Sequence, residues 1–351
     1  MDLISVIMPT YNAAKWVSCT IDNLAAQTYP HFELIVSDDG SQDDTVAVVR
    51  KKLAKSFKHP WQIIERGKNK GPSAARNLAL KAAQGSWVQF LDSDDFIAPS
   101  KFELQAAHCA RVAADVSAVY SPWSQCHIED GRVTLTGEVA RPDMQGRAPI
   151  MCLVGPDRVL QSGGLTRRSV LEQIGGWDEG LRFWECEEVT FRIAKAGRLE
   201  YVPSALPLYF WRQHRSQRYI GDAKARYHTT AVAMSAIDLI LKALDYKSLE
   251  EAGLSARDRG DILHSTSYWA RELFRTDRTA FRRYLAKARK LDPKLTPAYP
   301  AVISAISRLI GYEAAEALAD LAHRPKSLVG KFGRGLRRVA ANEWSIRRGA
   351  N

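Results

Sequence analysis

Apolar positions in the first ninety residues fall into short runs broken by polar turns. Residues 3–8 (LISVIM) and 32–37 (FELIVS) are near-continuous apolar runs, which predicts strands buried on both faces of a parallel sheet. Between them, Trp16, Val17, Ile21, Leu24 and Ala25 return at helical spacing across 13–28. Ser41-Gln42-Asp43-Asp44 offers cap residues and first-turn acids to a second helix. Residues 61–65 (WQIIE) and 87–91 (WVQFL) predict further strands, with a helix over 72–84 between them. The alternation predicts an α/β fold, a mostly parallel Rossmann-like sheet with helices on both faces. Residues 116–120 and 199–202 read as later strands. Residues 122–163, rich in Pro, Gly and charge, read as loops with a hairpin at Asp130-Gly131. Past 221 the strand pattern stops. Helical spacing continues at 222–245, 255–275, 278–291, 298–310 and 311–323. The phrase AKARKLDP resembles the end of a helical repeat, but no second copy follows at a fixed period, which argues against a solenoid. The expected organisation is a domain at 1–220, a helical region at 221–325 and a basic amphipathic tail at 326–351.

Composition narrows the class. With 46% hydrophobic and 25% charged residues the chain can bury a core, so a disordered protein is excluded. No run approaches the ~18 apolar residues of a membrane span. The first residues enter a strand directly, so no secretory leader is expected. Five widely spaced cysteines with no C-x-x-C pair speak against a disulfide framework or structural zinc and fit a reducing cytosol. Charge is uneven. Residues 1–220 hold 26 Lys and Arg against 25 Asp and Glu, whereas 221–351 hold 24 against 14. Such a basic third either attracts a polyanion or is a solvated helical surface.

Ligands of open parallel sheets sit at the carboxyl ends of strands. Three polar clusters fall there: Pro9-Thr10-Tyr11-Asn12, Asp38-Asp39-Gly40-Ser41 and Asp92-Ser93-Asp94-Asp95. The G-x-G-x-x-G of a dinucleotide fold is absent, which disfavours a dehydrogenase. Acids at strand ends suit a divalent cation and a ribose. Each cluster also reads, alone, as a turn or helix cap.

Taken together, VIMPTYNAAKWVSCTIDNLAAQTYPHFELIVSDDGSQDDT, GPSAARNLALKAAQGSWVQFLDSDDFIAP, RRSVLEQIGGWDE, ECEEVTFRIAKAG and WRQHRSQ resemble family-two glycosyltransferases, in order, over roughly 1–220. The resemblance implies a GT-A fold and transfer of a sugar, with inversion, from a nucleotide-sugar to an acceptor hydroxyl. The donor implied is UDP-linked, and the acceptor is a glycan or lipid-linked glycan of surface polysaccharide synthesis. It implies that Pro9, Thr10, Tyr11 and Asn12 wall the nucleoside pocket and that Asp39 accepts a hydrogen bond from the base. Asp92, Ser93 and Asp94 carry the D-x-D motif. Asp94 would ligate Mg²⁺ or Mn²⁺, Asp92 would contact ribose or metal-bound water, and Asp95 would orient the loop. A cation is needed there because a diphosphate is costly to desolvate. Arg76 would contact the nucleotide from the helix opened by Gly71, or else lie on the surface of a Gly-Pro helix start. His214 would join the metal or the diphosphate, or is an ordinary surface or core residue.

The acceptor base departs from the pattern. Counting back seven and six residues from Arg192 reaches Glu185 and Cys186, so a cysteine stands where the family commonly has Asp. A thiol is a poor base for a sugar hydroxyl. Glu185 and Glu188 share a helical face and are the preferred replacements, in that order, while Glu187 points elsewhere. The resemblance also suggests that Gly163, Gly164 and the Gly175-Gly176-Trp177-Asp178 turn shape the acceptor pocket. Trp177, Phe183 and Trp184 stack on sugars or fill core.

Cys186 motivates a second reading, a silent homologue that binds nucleotide-sugar or glycan as a scaffold. A nucleic-acid-binding protein lacks any recognised motif, so no nucleic acid is expected. A sugar nucleotidyltransferase would need a glycine- and basic-rich loop after the first strand, where this chain has Pro9-Thr10-Tyr11-Asn12. In the tail, Phe332, Leu336 and Val339 share one helical face among basic residues, and Trp344 follows. That pattern suits an anionic inner-leaflet surface, or a packed terminal helix, and so a cytoplasmic enzyme peripheral to the membrane.

Overall fold

The computed structural model describes residues 2–129, 132–154, 159–213, 226–293, 295 and 311–323. The expected helix at 298–310, His214 and the tail at 326–351 lie outside the described residues, as does Asp130-Gly131. The chain divides into two compact units, Met1–Arg218 and Tyr219–Asn351.

The first unit carries strands β1 (Ile4–Thr10), β2 (Phe32–Asp38), β3 (Trp61–Glu65), β4 (Trp87–Phe90), β5 (Phe96–Ile97), β6 (Val116–Tyr120), β7 (Trp123–Glu129), β8 (Arg132–Leu135), β9 (Gly164–Arg167), β10 (Arg198–Tyr201) and β11 (Tyr209–Arg212). Its helices are α1 (Val17–Ala25), α2 (Thr45–Ser56), α3 (Pro72–Leu80), α4 (Lys101–Cys109), α5 (Arg168–Gln173) and α6 (Glu185–Ala196). Seven strands form one sheet in the order β10-β6-β9-β4-β1-β2-β3. All pairings are parallel except those of β9, which runs antiparallel to both β4 and β6.

The continuous apolar runs have a direct cause. Alternate residues of β1 feed opposite cores. Ile4, Val6 and Met8 pack with Val17, Ile21 and Leu24 of α1, Leu53 of α2 and Phe102 of α4. Ile7 packs with Ala79 of α3, Leu171 of α5 and Val189 and Ile193 of α6. Both faces are therefore covered, as a parallel sheet requires.

Three features depart from expectation. First, the region around 122–163 is more than loop. β7 and β8 form the expected hairpin, with Glu129 opposite Arg132, but β7 also pairs with β11 in a second sheet of order β5-β11-β7-β8. Second, β9 enters the middle of the main sheet. It is four residues long and begins with Gly164, so it has no periodicity to read. A Cβ on Gly164 would sit 2.5 Å from the carbonyl oxygen of Val119, so only glycine allows this approach. Third, α2 has no acid in its first turn, and Asp44 makes no side-chain cap bond. Asp43 instead accepts from the Thr45 amide at 3.0 Å.

The second unit is helical: α7 (Arg226–Ala243), α8 (Ala256–Thr276), α9 (Arg278–Leu291) and α10 (Tyr312–His323). Ser255 caps α8 through the Asp258 amide at 3.0 Å, and Asp277 caps α9 through the Ala280 amide at 2.9 Å. Phe274, Phe281, Tyr284 and Leu291 are buried, with the Phe274 and Phe281 rings edge-on at 5.2 Å. No helix among the described residues is long and apolar enough to cross a membrane. All five cysteines are free thiols.

Candidate active site

The carboxyl ends of β1, β2 and β4 lie side by side, with Thr10 opposite Asp38 in the β1–β2 register. Asp38 closes the turn after β2. It accepts from the Thr10 hydroxyl at 2.9 Å and from the Ser41 amide at 2.8 Å. Asp39 faces the other way. It is buried, and its carboxylate accepts from the amides of Lys70 at 3.1 Å and Gly71 at 2.7 Å. Arg66 lies 3.7 Å from it. Asp39 therefore pins the loop that opens α3, where Gly71 adopts φ of 96° ahead of Pro72. Asn12 has φ of 49°, and its amide oxygen accepts from the Gln42 amide at 2.8 Å. Pro9 is half-buried on β1, and the Tyr11 ring beside Asn12 is exposed. Segments 9–12, 38–42 and 70–71 are thus tied together by hydrogen bonds.

The acid loop follows β4. Asp92 is part-exposed and pairs with Arg76 at 2.8 Å. Arg76 is buried, its guanidinium lying 4.3 Å from the centre of the Trp177 ring. Trp177 is itself core, edge-on to Phe90 at 5.0 Å, so it is a platform for Arg76 rather than for a sugar. The Ser93 carbonyl accepts from Thr20 at 2.9 Å. Asp94 is half-buried at the tip. Asp95 is buried and takes bonds from the Tyr209 hydroxyl and, at 2.8 Å, the Arg212 amide. Burial, with Asp94 and Asp92 nearby, pushes the Asp95 carboxyl well above the usual range. Asp95 therefore orients the loop and leaves Asp92 and Asp94 at its accessible side.

Among the described residues no three His, Cys, Asp or Glu side chains converge as a ready-made metal site. The donor set nevertheless fits a hard cation. Two carboxylates at a strand mouth leave most coordination positions to phosphate oxygens and water, the mode Mg²⁺ favours.

Helix α6 begins under strain. Trp184, a non-glycine residue, adopts φ of 65° just before Glu185. Glu185 is buried, and desolvation pushes its carboxyl above the usual glutamate range while the Arg76 guanidinium pulls it back. Glu188 is otherwise engaged: its two oxygens accept from Arg192 at 2.7 and 2.6 Å. Burial drives the Cys186 thiol well above its ordinary value, so it stays protonated and is no base. Glu187 is half-buried, and so are Phe183 and Trp184.

Asn77, which the motif reading left without a role, ties α3 to the glycine turn. Its amide oxygen accepts from the Trp177 amide at 2.8 Å, and its NH₂ donates to the Trp177 carbonyl and to Glu179, each at 2.9 Å. A Cβ on Gly176, at φ of 71°, would meet that side chain at 2.4 Å. Arg76 and Asn77 thus place Asp92, Trp177 and Glu185 about one guanidinium. Two of its nitrogens, Nε and Nη1, have no hydrogen-bond partner.

Known proteins are similar to this chain in sequence and fold. Residues 5–174 match the family model described as Glycosyl transferase family 2. An Escherichia coli UDP-Glc:alpha-D-GlcNAc-diphosphoundecaprenol beta-1,3-glucosyltransferase, WfgD, is 41% identical over 103 residues, covering 29% of this chain and 39% of that protein. The aligned segment spans at most 41% of the first curated relatives' own lengths. Staphylococcus aureus TarS 1–349 in complex with UDP-GlcNAc superimposes with a TM-score of 0.55 at 20% identity, covering 92% of this chain and 93% of that one. Mannosyltransferase PcManGT from Pyrobaculum calidifontis, in complex with GDP-Man and Mn²⁺, does so with 0.51 at 20% identity, covering 91% and 87%. These structures establish the GT-A fold expected from the resemblance. Through residues 5–174 of its amino-terminal unit, the chain is similar to glycosyl transferase family 2.

Proposed function

We propose that this protein transfers a sugar, with inversion, from a nucleoside-diphosphate sugar to a hydroxyl of a glycan or lipid-linked acceptor in surface polysaccharide synthesis. UDP is the nucleotide proposed. One observation carries the reading: Arg76 pairs with Asp92 of the D-x-D loop and its charge also acts on the buried Glu185, so donor-side acids and a candidate base share a site.

In this reading segments 9–12 and 38–42 receive the nucleoside, with Asp39 holding their neighbour loop. Asp94, helped by Asp92, holds a divalent cation, Mg²⁺ or Mn²⁺, which when bound offsets the diphosphate charge. Glu185 takes the acceptor hydroxyl proton as that oxygen attacks the anomeric carbon. The bond from that carbon to the diphosphate oxygen breaks on the opposite face, and its electron pair leaves with the nucleotide. Burial makes Glu185 a stronger base than a solvated glutamate. The Arg76 guanidinium opposes that pKa rise and favours the carboxylate form.

Cys186 favours the second reading, a scaffold that binds donor without turning it over. Nucleotide-sugar consumption across a donor panel with Mn²⁺ decides between them. Domain limits of 1–220, 221–325 and 326–351, and docking of the basic tail on an anionic inner leaflet, remain part of the proposal. The E. coli relative's lipid-linked substrate supports a membrane-proximal enzyme.

A further inference from the structure

A fully buried lysine lies under the site. Lys101, the first residue of α4, has no exposed surface. Its amine donates to two neutral oxygens, Oε1 of Gln89 and, at 2.6 Å, Oε1 of Gln105. Both glutamines are fully buried and pass the connection on. Gln89 donates to the Ser162 carbonyl at 2.8 Å. Gln105 donates to the Gly163 carbonyl at 3.0 Å, which also accepts from the Ser121 hydroxyl at 2.8 Å.

The Gln161–Gly163 turn is thereby a hub. Gln161 accepts from Thr190 of α6 at 3.2 Å and donates to Thr166 of β9 at 2.9 Å. Ser162 bonds the Tyr209 hydroxyl, and Tyr209 holds Asp95. One branch of the network therefore ends in the acid loop. The other ends on the helix that carries Glu185. Burial pushes the Lys101 amine well below its ordinary range, and a neutral amine has two N–H groups for its two acceptors. A residue needed only to fill space here would be apolar, since burying an amine costs free energy that Met or Leu avoids.

We infer that Lys101 is a positioning residue for the transfer proposed above: from inside the core it fixes the Gln161–Gly163 turn where that turn joins the Asp92–Asp95 loop to the Glu185 helix. Lys101→Met keeps the volume and removes the donors, leaving two buried glutamine oxygens unmet.

Hydrogen exchange on the full chain tests this, with Mn²⁺-dependent UDP binding and steady-state kinetics alongside. Lys101→Met should speed exchange about tenfold at Gly163 and at Arg212, whose amide donates to Asp95, while the β1 and β2 amides keep their protection. UDP affinity in Mn²⁺ and kcat should both fall about tenfold, with KM for the acceptor nearly constant. Acceleration spread evenly over the unit would mean a merely structural residue and would overturn the inference, as would unchanged exchange at Gly163 and Arg212. If Lys101→Met does not fold, Gln105→Met retains the Lys101–Gln89 bond and must loosen Gly163 alone. An inactive wild-type protein would defeat the transfer reading, yet the exchange result would still report whether Lys101 holds the turn.

Discussion

The proposed donor side and the proposed acceptor side of the site are built by different means. On the donor side, strand register does the work. β1, β2 and β4 are adjacent and parallel, so their carboxyl ends bring Thr10, Asp38 and Asp92 together through backbone pairing. On the acceptor side no strand ends at Glu185. Its place depends on a strained Trp184, on Arg76 reaching across, and on buried side-chain bonds through Gln161. Backbone-built geometry tolerates side-chain change, while side-chain-built geometry fails when one partner is lost. Substitutions on the two sides should therefore have distinct signatures.

The largest effect is expected at Glu185. Glu185→Gln should lower kcat by about 10²-fold or more while UDP binding, measured by calorimetry, persists. Stability should move oppositely. The folded chain keeps the Glu185 proton to higher pH than the unfolded chain, so its contribution to stability is present in acid and is lost as pH rises through the elevated pKa. Glu185→Gln should therefore raise Tm at pH 8, read by thermal melts, and leave it unchanged at pH 4.

Next comes Asp94→Ala, which should cut Mn²⁺-dependent UDP affinity by about tenfold or more. Equal affinity with and without Mn²⁺ in the parent protein would contradict the metal assignment. A pH profile is the sharper comparison. Activity should rise with pH as Glu185 loses its proton. Arg76→Met removes a cation that lowers the Glu185 pKa, so the rise should move to higher pH.

How much of this was legible follows from the same contrast. The strands at 3–8, 32–37 and 87–91 and the polar clusters after them lie contiguously, because a strand end and its loop are neighbours in sequence. β9 was invisible, since four residues beginning with glycine carry no alternation. Asp39 looks like a base-binding carboxylate in its motif, yet its hydrogen bonds to Lys70 and Gly71 span about thirty positions. The Lys101–Gln89–Gln105 cluster gave no motif at all, for each residue alone is an ordinary polar side chain. Glu185 is preferred to Glu188, with which it shares a helical face, but the Arg192 pair that engages Glu188 could not be read from spacing.

Smaller effects complete the comparison. Glu188→Gln breaks the Arg192 pair and should cost about 2 kcal/mol in stability, seen in urea melts, with modest change in kcat. Cys186→Ser should leave turnover within about threefold, because the buried thiol stays neutral and takes no proton. Loss of turnover in Cys186→Ser, with Glu185→Gln active, would reverse the assignment of the base. For the tail, truncation at Pro325 should reduce co-sedimentation with anionic vesicles at low salt. Equal binding by the truncated chain would remove the membrane role.

The most direct test is consumption of nucleoside-diphosphate sugars by the wild-type chain, with Mn²⁺ and with chelator. A transferase predicts UDP release from at least one UDP-sugar, dependent on Mn²⁺ and abolished in Glu185→Gln. Tight UDP binding without turnover of any donor, in the presence of glycan and lipid-linked acceptors, would contradict it and leave the scaffold.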